Sequence, residues 1–252
     1  MADSLLRSRL EAEHLPNVIR QRLSAQPRHD YLADAVLGAV DGCITTFAIV
    51  AGSVGAGFSA LVIIVLGFAN LLADGFSMAV SNYLGTKSER ERIDKARRIE
   101  QQHIDHFPEG EREEIRQIFE QKGFNGTILD NIVEVITSNP RLWINTMLTE
   151  ELGLQAQGRH PVRAGVATFA AFVIVGLVPL LPFLLPQLDP RHRFVISCVS
   201  TAIAFTAVGV VKGLLVEKSP ARSGVETLLT GGTAASLAYF IGAWLQRAYG
   251  AS

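Results

Sequence analysis

Cysteine is nearly absent from this chain, which has only Cys43 and Cys198 among its 252 residues. Two cysteines in apolar stretches exclude a disulfide framework and a cysteine-based zinc site, so both are expected to be small packing residues. The sequence also lacks a nucleotide-binding motif, and residues 1–23 lack the apolar region of a signal peptide. A formal net charge of −1 excludes the general basic field of nucleic-acid-binding proteins.

Charge is missing from four long stretches, which are residues 42–73, 164–188, 194–211 and 227–246. A membrane-spanning helix needs about 20 mostly apolar residues. The first stretch accommodates the end of one helix, a tight turn at 55–59 and most of a second helix. The third stretch is short, but Arg193 and Lys212 at its ends can extend their charged groups to the membrane interfaces.

The pattern predicts an all-α integral membrane protein with five transmembrane helices, at residues 31–55, 60–85, 162–185, 193–216 and 224–247. In the first helix, Gly38 and Gly42 form a GxxxG pattern, which lets helix backbones approach closely in lipid. Nothing interrupts the second helix before residue 106, so we expect it to continue out of the membrane. The third helix is expected to be broken or kinked near its end by prolines.

The charged residues are concentrated between the second and third transmembrane helices. Prolines and Gly123 separate short helices there, predicted at residues 108–121, 125–138 and 140–157. The chain is therefore predicted to have four parts: an N-terminal amphipathic segment (1–30), transmembrane helices 1–2 (31–86), a helical insert (87–160) and transmembrane helices 3–5 (161–252).

The distribution of basic residues predicts the orientation. Five arginines precede the first helix, and three basic residues lie at the end of the fourth helix and in the loop after it; the opposite side offers mainly Arg191, Arg193 and Arg247. By the positive-inside rule, the N-terminus and the insert are cytoplasmic. The N-terminal segment, with Leu5, Leu6 and Leu10, is either a soluble leader helix or a helix lying on the cytoplasmic membrane face. Short loops and the lack of a sorting signal favour a bacterial plasma membrane.

Two acidic residues, Asp41 and Asp74, lie within the first two predicted membrane helices. A carboxylate at that depth is energetically expensive, and such residues usually face a protein interior or a water-filled path. Asp34 shares a helix face with Asp41, but its position also fits a helix N-cap at the interface. Lys212 could pair with one of the buried acids, although its position favours an interfacial anchor. An intramembrane acid therefore indicates a binding site for a cation or a proton.

A polar stripe follows the second helix, where Asn70, Asp74 and Met78 repeat every four residues. Two helices joined by a tight turn lie side by side, so Asp41 is predicted to come close to Asp74 and Met78. Carboxylate oxygens with a thioether suit a first-row divalent metal better than sodium or magnesium. Taken alone, Met78 fits a core or lipid-facing residue equally well.

The insert contains three helical pairs of potential metal ligands, which are Glu100 with His103, Glu111 with Glu114, and Met147 with Glu151. Each pair is spaced so that both side chains project from one helix face, and three such pairs could converge on a metal cluster. Chance pairs on solvated helices are the alternative. His106, Glu113 and Glu150 lie nearby, so spacing alone leaves the ligand set open.

Three runs of sequence resemble the vacuolar iron transporter family: DAVLGAVDGCITTFAIVAG, GFANLLADGFSMAVSNYLGTKSERE and NPRLWINTMLTEELGL. The resemblance extends over nearly the whole chain from Tyr31. It implies five transmembrane helices with a cytoplasmic metal-binding domain between the second and third. By position in these runs, Asp41 and Met78 match the family's intramembrane metal-binding residues. In the insert, five residues fall on the family's ligand positions: Glu100, Glu111, Glu114, Met147 and Glu151.

Three positions depart from the family pattern. The family has a glutamate where this chain has Asn70, and a small residue where it has Asp74, so the carboxylate is expected to have moved one helical turn. His103 takes a usual glutamate position. Imidazole binds Fe(II), Mn(II), Zn(II) and Ni(II), so this exchange bears on metal preference.

The resemblance implies a transporter, not an enzyme, that moves Fe(II), and often Mn(II), out of the cytosol in exchange for protons. It implies a homodimer with the metal path between the subunits, and no prosthetic group; Zn(II) is a further candidate ion. The expected partners are the lipid bilayer, divalent metal ions and protons, and no nucleic acid. One alternative is a membrane-tethered ferroxidase, although the insert contains Glu-x-x-His only once, at Glu100–His103. The other is a metal-gated channel or sensor.

Overall fold

The computed structural model describes residues 2–24, 31–155 and 158–250, and every regular element in them is a helix. The chain forms two compact units, Met1–Asp30 and Tyr31–Ser252. The first unit contains α1 (Ala2–Glu13) and α2 (Pro16–Ser24), so the prediction of one N-terminal helix is wrong. Pro16 cannot continue a preceding helix but fits the first turn of a new one. The side chains of Leu5 and Leu6 lie outside the described part of the chain.

The second unit contains eight α-helices among its described residues: α3 (Leu32–Gly55), α4 (Ala60–His106), α5 (Pro108–Gln121), α6 (Gly126–Thr137), α7 (Pro140–Thr146), α8 (Pro161–Gly176), α9 (Pro190–Leu215) and α10 (Pro220–Tyr249). A π-helical turn, Met147–Glu151, continues α7, and a 3-10 turn, Leu181–Leu184, follows α8. Four of the α-helices, α3, α4, α9 and α10, are long and apolar enough to cross a membrane.

The third predicted membrane helix is shorter than expected. Helix α8 ends at Gly176 instead of residue 185, and its 16 residues span only about 24 Å of a hydrocarbon core about 30 Å thick. Pro179 and Pro182 follow, and neither can donate the backbone hydrogen bond that a continuing helix needs. Five complete crossings therefore stay a prediction.

Helix α3 packs at the centre of the second unit because its glycines allow close backbone approach. A Cβ on Gly38 would lie 2.2 Å from the carbonyl oxygen of Thr168, and one on Gly42 would lie 2.4 Å from that of Phe172. The predicted GxxxG contact is therefore confirmed, with α8 as its partner. On the other face of α3, a Cβ on Gly242 of α10 would lie 2.0 Å from the carbonyl oxygen of Gly52.

Helices α3 and α4 form a tight hairpin, as predicted. Gly57 occupies the left-handed region at φ 70°, and the Ser59 hydroxyl accepts a hydrogen bond from the Val62 amide at the start of α4. The predicted continuation of the second membrane helix is also confirmed, because α4 runs unbroken for 47 residues to His106.

Helices α5 to α7 pack around a small apolar core of their own. Ile115, Val133, Trp143 and Met147 are buried together in it. The last helix of this region was predicted to run to residue 157, which is too long. The helical structure ends with the π-helical turn at Glu151, because Gly153 adopts the left-handed conformation at φ 62°. The remainder of that prediction, residues 156–157, lies outside the described residues.

Candidate metal sites

The hairpin of α3 and α4 aligns polar residues at matching levels. Thr45 lies ten residues before Gly55, the end of α3, and Asn70 lies ten residues after Ala60, the start of α4. The Asn70 side-chain amide donates a hydrogen bond to the Thr45 hydroxyl over 3.2 Å. Asn70 therefore connects the two helices, in addition to forming part of the predicted stripe.

Asp41 and Asp74 also lie at matching positions on the two helices. Asp41 is fourteen residues before the end of α3, and Asp74 is fourteen residues after the start of α4. That separation places both about 21 Å along their helices. The charge of Asp74 acts on Asp41, so the structure brings the two acids within electrostatic range. Asp41 is half-buried, whereas Asp74 is exposed on the surface of the single chain. Met78, one turn further along α4, is half-buried against the apolar core of the second unit.

Asp34 is not the interfacial N-cap suggested as one interpretation of the sequence. Tyr31 occupies the N-cap position of α3, and Asp34 lies within the first turn with its side chain buried. Its Oδ1 accepts hydrogen bonds from the amide of Asn82 (2.9 Å) and from the guanidinium of Arg159 (2.7 Å). Sequence reasoning missed both partners. Asn82 continues the four-residue stripe of α4, which could have identified it.

Three of the predicted ligands in the insert converge on one point. Glu100 and His103 project from the end of α4, and Glu111 projects from the start of α5. One ligand atom from each lies within 4.8 Å of the others, and the His103 Nδ1 is 3.1 Å from a Glu111 carboxylate oxygen. Phe107 and Pro108 produce this arrangement because they end α4 and begin α5, which turns the chain back on itself.

The two glutamates of this group are buried, with exposures of 3% for Glu100 and 4% for Glu111. Within the described residues, the Oε2 atom of each has no hydrogen-bond partner. A buried ionised carboxylate without a donor is strongly destabilising unless it takes up a proton or binds a cation. The donor set, two carboxylates and one imidazole, fits a first-row divalent metal ion.

The pKa values of three glutamates in this region are raised, as expected where buried carboxylates lack a neighbouring positive charge. Burial, together with the charges of Glu114, Glu100 and Glu151, raises the pKa of Glu111 to about 7, against a smaller lowering by His103. Burial also raises the pKa of Glu100, which His103 partly offsets. The pKa of Glu151 is raised by partial burial and by the charges of Glu100 and Glu114.

Glu114 and Glu151 therefore belong to the same electrostatic cluster, which we call the insert cluster: Glu100, His103, Glu111, Glu114 and Glu151. Both Glu114 and Glu151 are exposed. Met147 differs, because it is fully buried in the apolar core beside Ile115, one residue beyond Glu114. The structure thus places Met147 behind the cluster.

The other acids and the second histidine near the cluster are engaged elsewhere. Glu113 contacts Arg116, and Glu150 pairs with Lys122. The His106 Nδ1 is 2.8 Å from the carbonyl oxygen of Gln102.

Comparison with known proteins gives a match to the VIT family model over residues 32–243. A vacuolar iron transporter of Toxoplasma gondii is 32% identical over 232 residues, covering 88% of this chain and 77% of the relative. Vacuolar iron transporter 1 of Arabidopsis thaliana is 32% identical over 213 residues (83% and 84%), and that of Tulipa gesneriana is 31% identical over 212 (83% and 85%). With its long apolar helices, this chain is a multi-pass integral membrane protein. It belongs to the VIT family.

Proposed function

We propose that this protein moves a divalent metal ion, Fe(II) or alternatively Mn(II), out of the cytosol in exchange for protons. The observation that carries the proposal is the insert cluster, in which two buried glutamates each leave a carboxylate oxygen without a partner among the described residues. Glu100 and His103 of the cluster lie near the end of α4, and the apolar part of the same continuous helix contains Asp74. The relatives named as iron transporters support iron as the cargo.

In this proposal the insert cluster captures the metal from the cytosol. Glu100, His103 and Glu111 bind it directly, and the exposed Glu114 and Glu151 attract it electrostatically. Capture from water is favourable because a divalent ion relieves the repulsion among the four carboxylates and satisfies the buried oxygens.

The proposed ligands within the membrane lie far from the insert cluster on α4. Glu100 and Asp74 are twenty-six residues apart on this helix, about 39 Å along its axis. The metal is therefore released from the insert cluster before Asp41, Asp74 and Met78 bind it within the membrane. Five crossings complete the path if residues 177–185 extend α8 across the remaining thickness, with the N-terminus and insert on the cytoplasmic side.

A homodimer accounts for the exposure of Asp74. This acid lies on an apolar helix, flanked by the exposed side chains of Leu72 and Phe76. A charge facing lipid at that depth is very unfavourable, whereas a second subunit or a water-filled path between subunits removes the penalty. We therefore propose that Asp74 and Met78 face the corresponding residues of a second copy.

Protons couple to metal because both bind the same carboxylates. Metal ligands must be deprotonated, so protons arriving from the far side at Asp41 and Asp74 displace the ion. This competition is sufficient for exchange and requires no nucleotide.

The test is reconstitution in vesicles, with Fe(II) uptake followed under an imposed pH gradient. We expect uptake to follow the gradient and to be abolished by Asp41→Ala. Asp94→Ala, at an exposed acid on α4, is the matched control and should leave uptake unchanged. Uptake that ignores the gradient would refute proton exchange, and near-normal flux through Asp41→Ala would remove Asp41 from the path.

The same vesicles distinguish the alternatives. A ferroxidase would consume oxygen when Fe(II) is added, whereas a transporter would not. A gated channel would continue to conduct metal after Glu111→Gln, but without its response to metal concentration. The bacterial plasma membrane stays a prediction, because the relatives are named as vacuolar.

A further inference from the structure

A partly buried ion pair joins the end of the insert to helix α3. Arg159 lies just before α8, and its Nη2 donates to Asp34 Oδ1 over 2.7 Å, although the two residues are 125 positions apart. The Asp34 side chain is 6% exposed and that of Arg159 is 38% exposed. A charge-assisted bond with one desolvated partner is stronger than a surface ion pair.

Helices α4 and α8 meet at the same carboxylate. The Asn82 amide of α4 lies 2.9 Å from Asp34 Oδ1 and 2.7 Å from the Thr168 hydroxyl of α8. The Thr168 hydroxyl is itself 3.4 Å from the Asp34 carbonyl oxygen. Because Gly38 packs directly on the backbone of Thr168, α3 and α8 cannot slide past each other freely here.

The chain leaving the insert is held at both of its described ends. Leu154 is buried with Ile144 and Leu148, so it moves with the π-helical turn. At the other end, the His160 amide donates to the hydroxyl of Tyr31 over 3.0 Å, next to the Arg159 ion pair. The end of the insert is therefore bonded to the beginning of α3 through both Arg159 and His160.

The positions of the two proposed metal sites give this connection its importance. Glu151 of the insert cluster is eight residues before Arg159, and Asp41 is seven residues after Asp34. Seven helical residues correspond to about 10.5 Å, or two turns of a stiff helix. The ion pair thus links the end of the insert to the helix that carries Asp41, beside the hydrogen bond from His160 to Tyr31.

The exposure of Arg159 also allows the ion pair to open. Because Arg159 is 38% exposed, its guanidinium can exchange Asp34 for water, while Asn82 continues to donate to the carboxylate. An element with two discrete arrangements is what energetic coupling between distant sites requires.

We propose that Arg159 is a positioning residue for transport, whose ion pair with Asp34 couples metal binding in the insert cluster to the position of Asp41. This inference rests on the proposed transport function. Arg159 touches neither set of proposed metal ligands, so it acts on them only through Asp34 and α3.

The test is a double-mutant cycle of Fe(II) transport in vesicles, combining Glu111→Gln with Arg159→Gln. In the wild-type background, Glu111→Gln should slow transport. In the Arg159→Gln background its further effect should be smaller by about fivefold or more, which is the size of ordinary site-to-site coupling. The insert cluster of Arg159→Gln should still bind Fe(II), which also shows that the variant is folded.

Arg163→Gln is the matched control, because Arg163 is exposed one turn further along and has no role in the network. Its effect should multiply with that of Glu111→Gln, as expected for independent sites. Arg159→Lys, which keeps the charge, should restore most of the coupling. If Arg159→Gln loses Fe(II) binding, Asp34→Asn, which removes the charge of the other partner, replaces it in the cycle.

The two hypotheses fail differently. If the wild-type protein transports Fe(II) but the effects of Arg159→Gln and Glu111→Gln simply multiply, only the coupling role is overturned. A wild-type protein that moves no Fe(II) would overturn the proposed function, and the inference with it.

Discussion

Glu111 should make metal binding by the insert cluster depend on pH near neutrality. Burial and neighbouring carboxylates raise its pKa to about 7 from an ordinary value of 4.5. A metal ion needs the deprotonated carboxylate, so it competes with the proton. Between pH 4.5 and 7, the folded metal-free protein retains a proton that an unfolded chain has lost. The contribution of Glu111 to the stability of the metal-free protein is therefore full below pH 4.5 and is lost as the pH rises through 7. Metal binding becomes stronger over the same rise in pH.

The size of the effect follows from this pKa. Glu111 is about 90% deprotonated at pH 8 and about 10% deprotonated at pH 6, so the apparent metal affinity should fall about tenfold over this interval. At pH 7 binding should release about half a proton from Glu111. The pKa values of Glu100 and Glu151 are raised as well, so the affinity falls further at lower pH.

Calorimetry on the full-length protein in detergent, under anaerobic conditions, measures both quantities. Mn(II) avoids oxidation, and titrations at pH 6, 7 and 8 in two buffers of different ionisation enthalpy give affinity and proton release together. Glu114→Gln removes a charge that raises the pKa of Glu111, so the transition should move to lower pH. Glu113→Gln is the matched control, because Glu113 contacts Arg116 and is not among the charges acting on Glu111.

Three results would refute this reasoning. The first is an affinity that does not change between pH 6 and pH 8. The second is binding at pH 7 without proton release. The third is a transition that moves to higher pH in Glu114→Gln, because removing a neighbouring negative charge cannot make Glu111 harder to deprotonate.

Three further predictions concern metal selectivity and stability. His103→Glu replaces a nitrogen ligand beside Glu111 by oxygen, so competition titrations should show Zn(II) losing affinity relative to Mn(II). Gly42→Ala places a Cβ 2.4 Å from the carbonyl oxygen of Phe172, so the melting temperature in detergent should fall; an unchanged value would refute the α3–α8 contact. Met147→Ala leaves a cavity at a fully buried site and should reduce the free energy of unfolding by about 2–5 kcal/mol. Met147→Leu, which keeps the volume, should reduce it by less than about 1.5 kcal/mol. Denaturant titration measures both.

Local features of this protein were predictable because the chain itself sets them. Apolar runs predicted the helices, the tight turn at 55–59 predicted the α3–α4 hairpin, and Gly123 was correctly placed at the end of α5. The spacing of Glu100 and His103 put both on one face of α4, since helical periodicity fixes the direction of residues three or four positions apart. The candidate ligands of the insert were identified for the same reason.

Contacts between distant segments were not predictable, because they depend on packing and on loss of water. Nothing local to Arg159 marks Asp34 as its partner 125 residues away, and nothing local to Met147 shows that it belongs to an apolar core. Helix α8 ends at Gly176, although the first of the two prolines that follow it is Pro179.

The sequence by itself determined the helices, the stripe of polar residues on α4 and the ligand pairs of the insert, because covalent geometry and helical periodicity act over a few residues. Only the tertiary structure decided which acids converge, which carboxylate oxygens lose water without gaining a donor, and that Asp74 is exposed on the single chain whereas Asp34 is buried. Those outcomes are set by burial and electrostatics, which sum over every neighbouring segment in space.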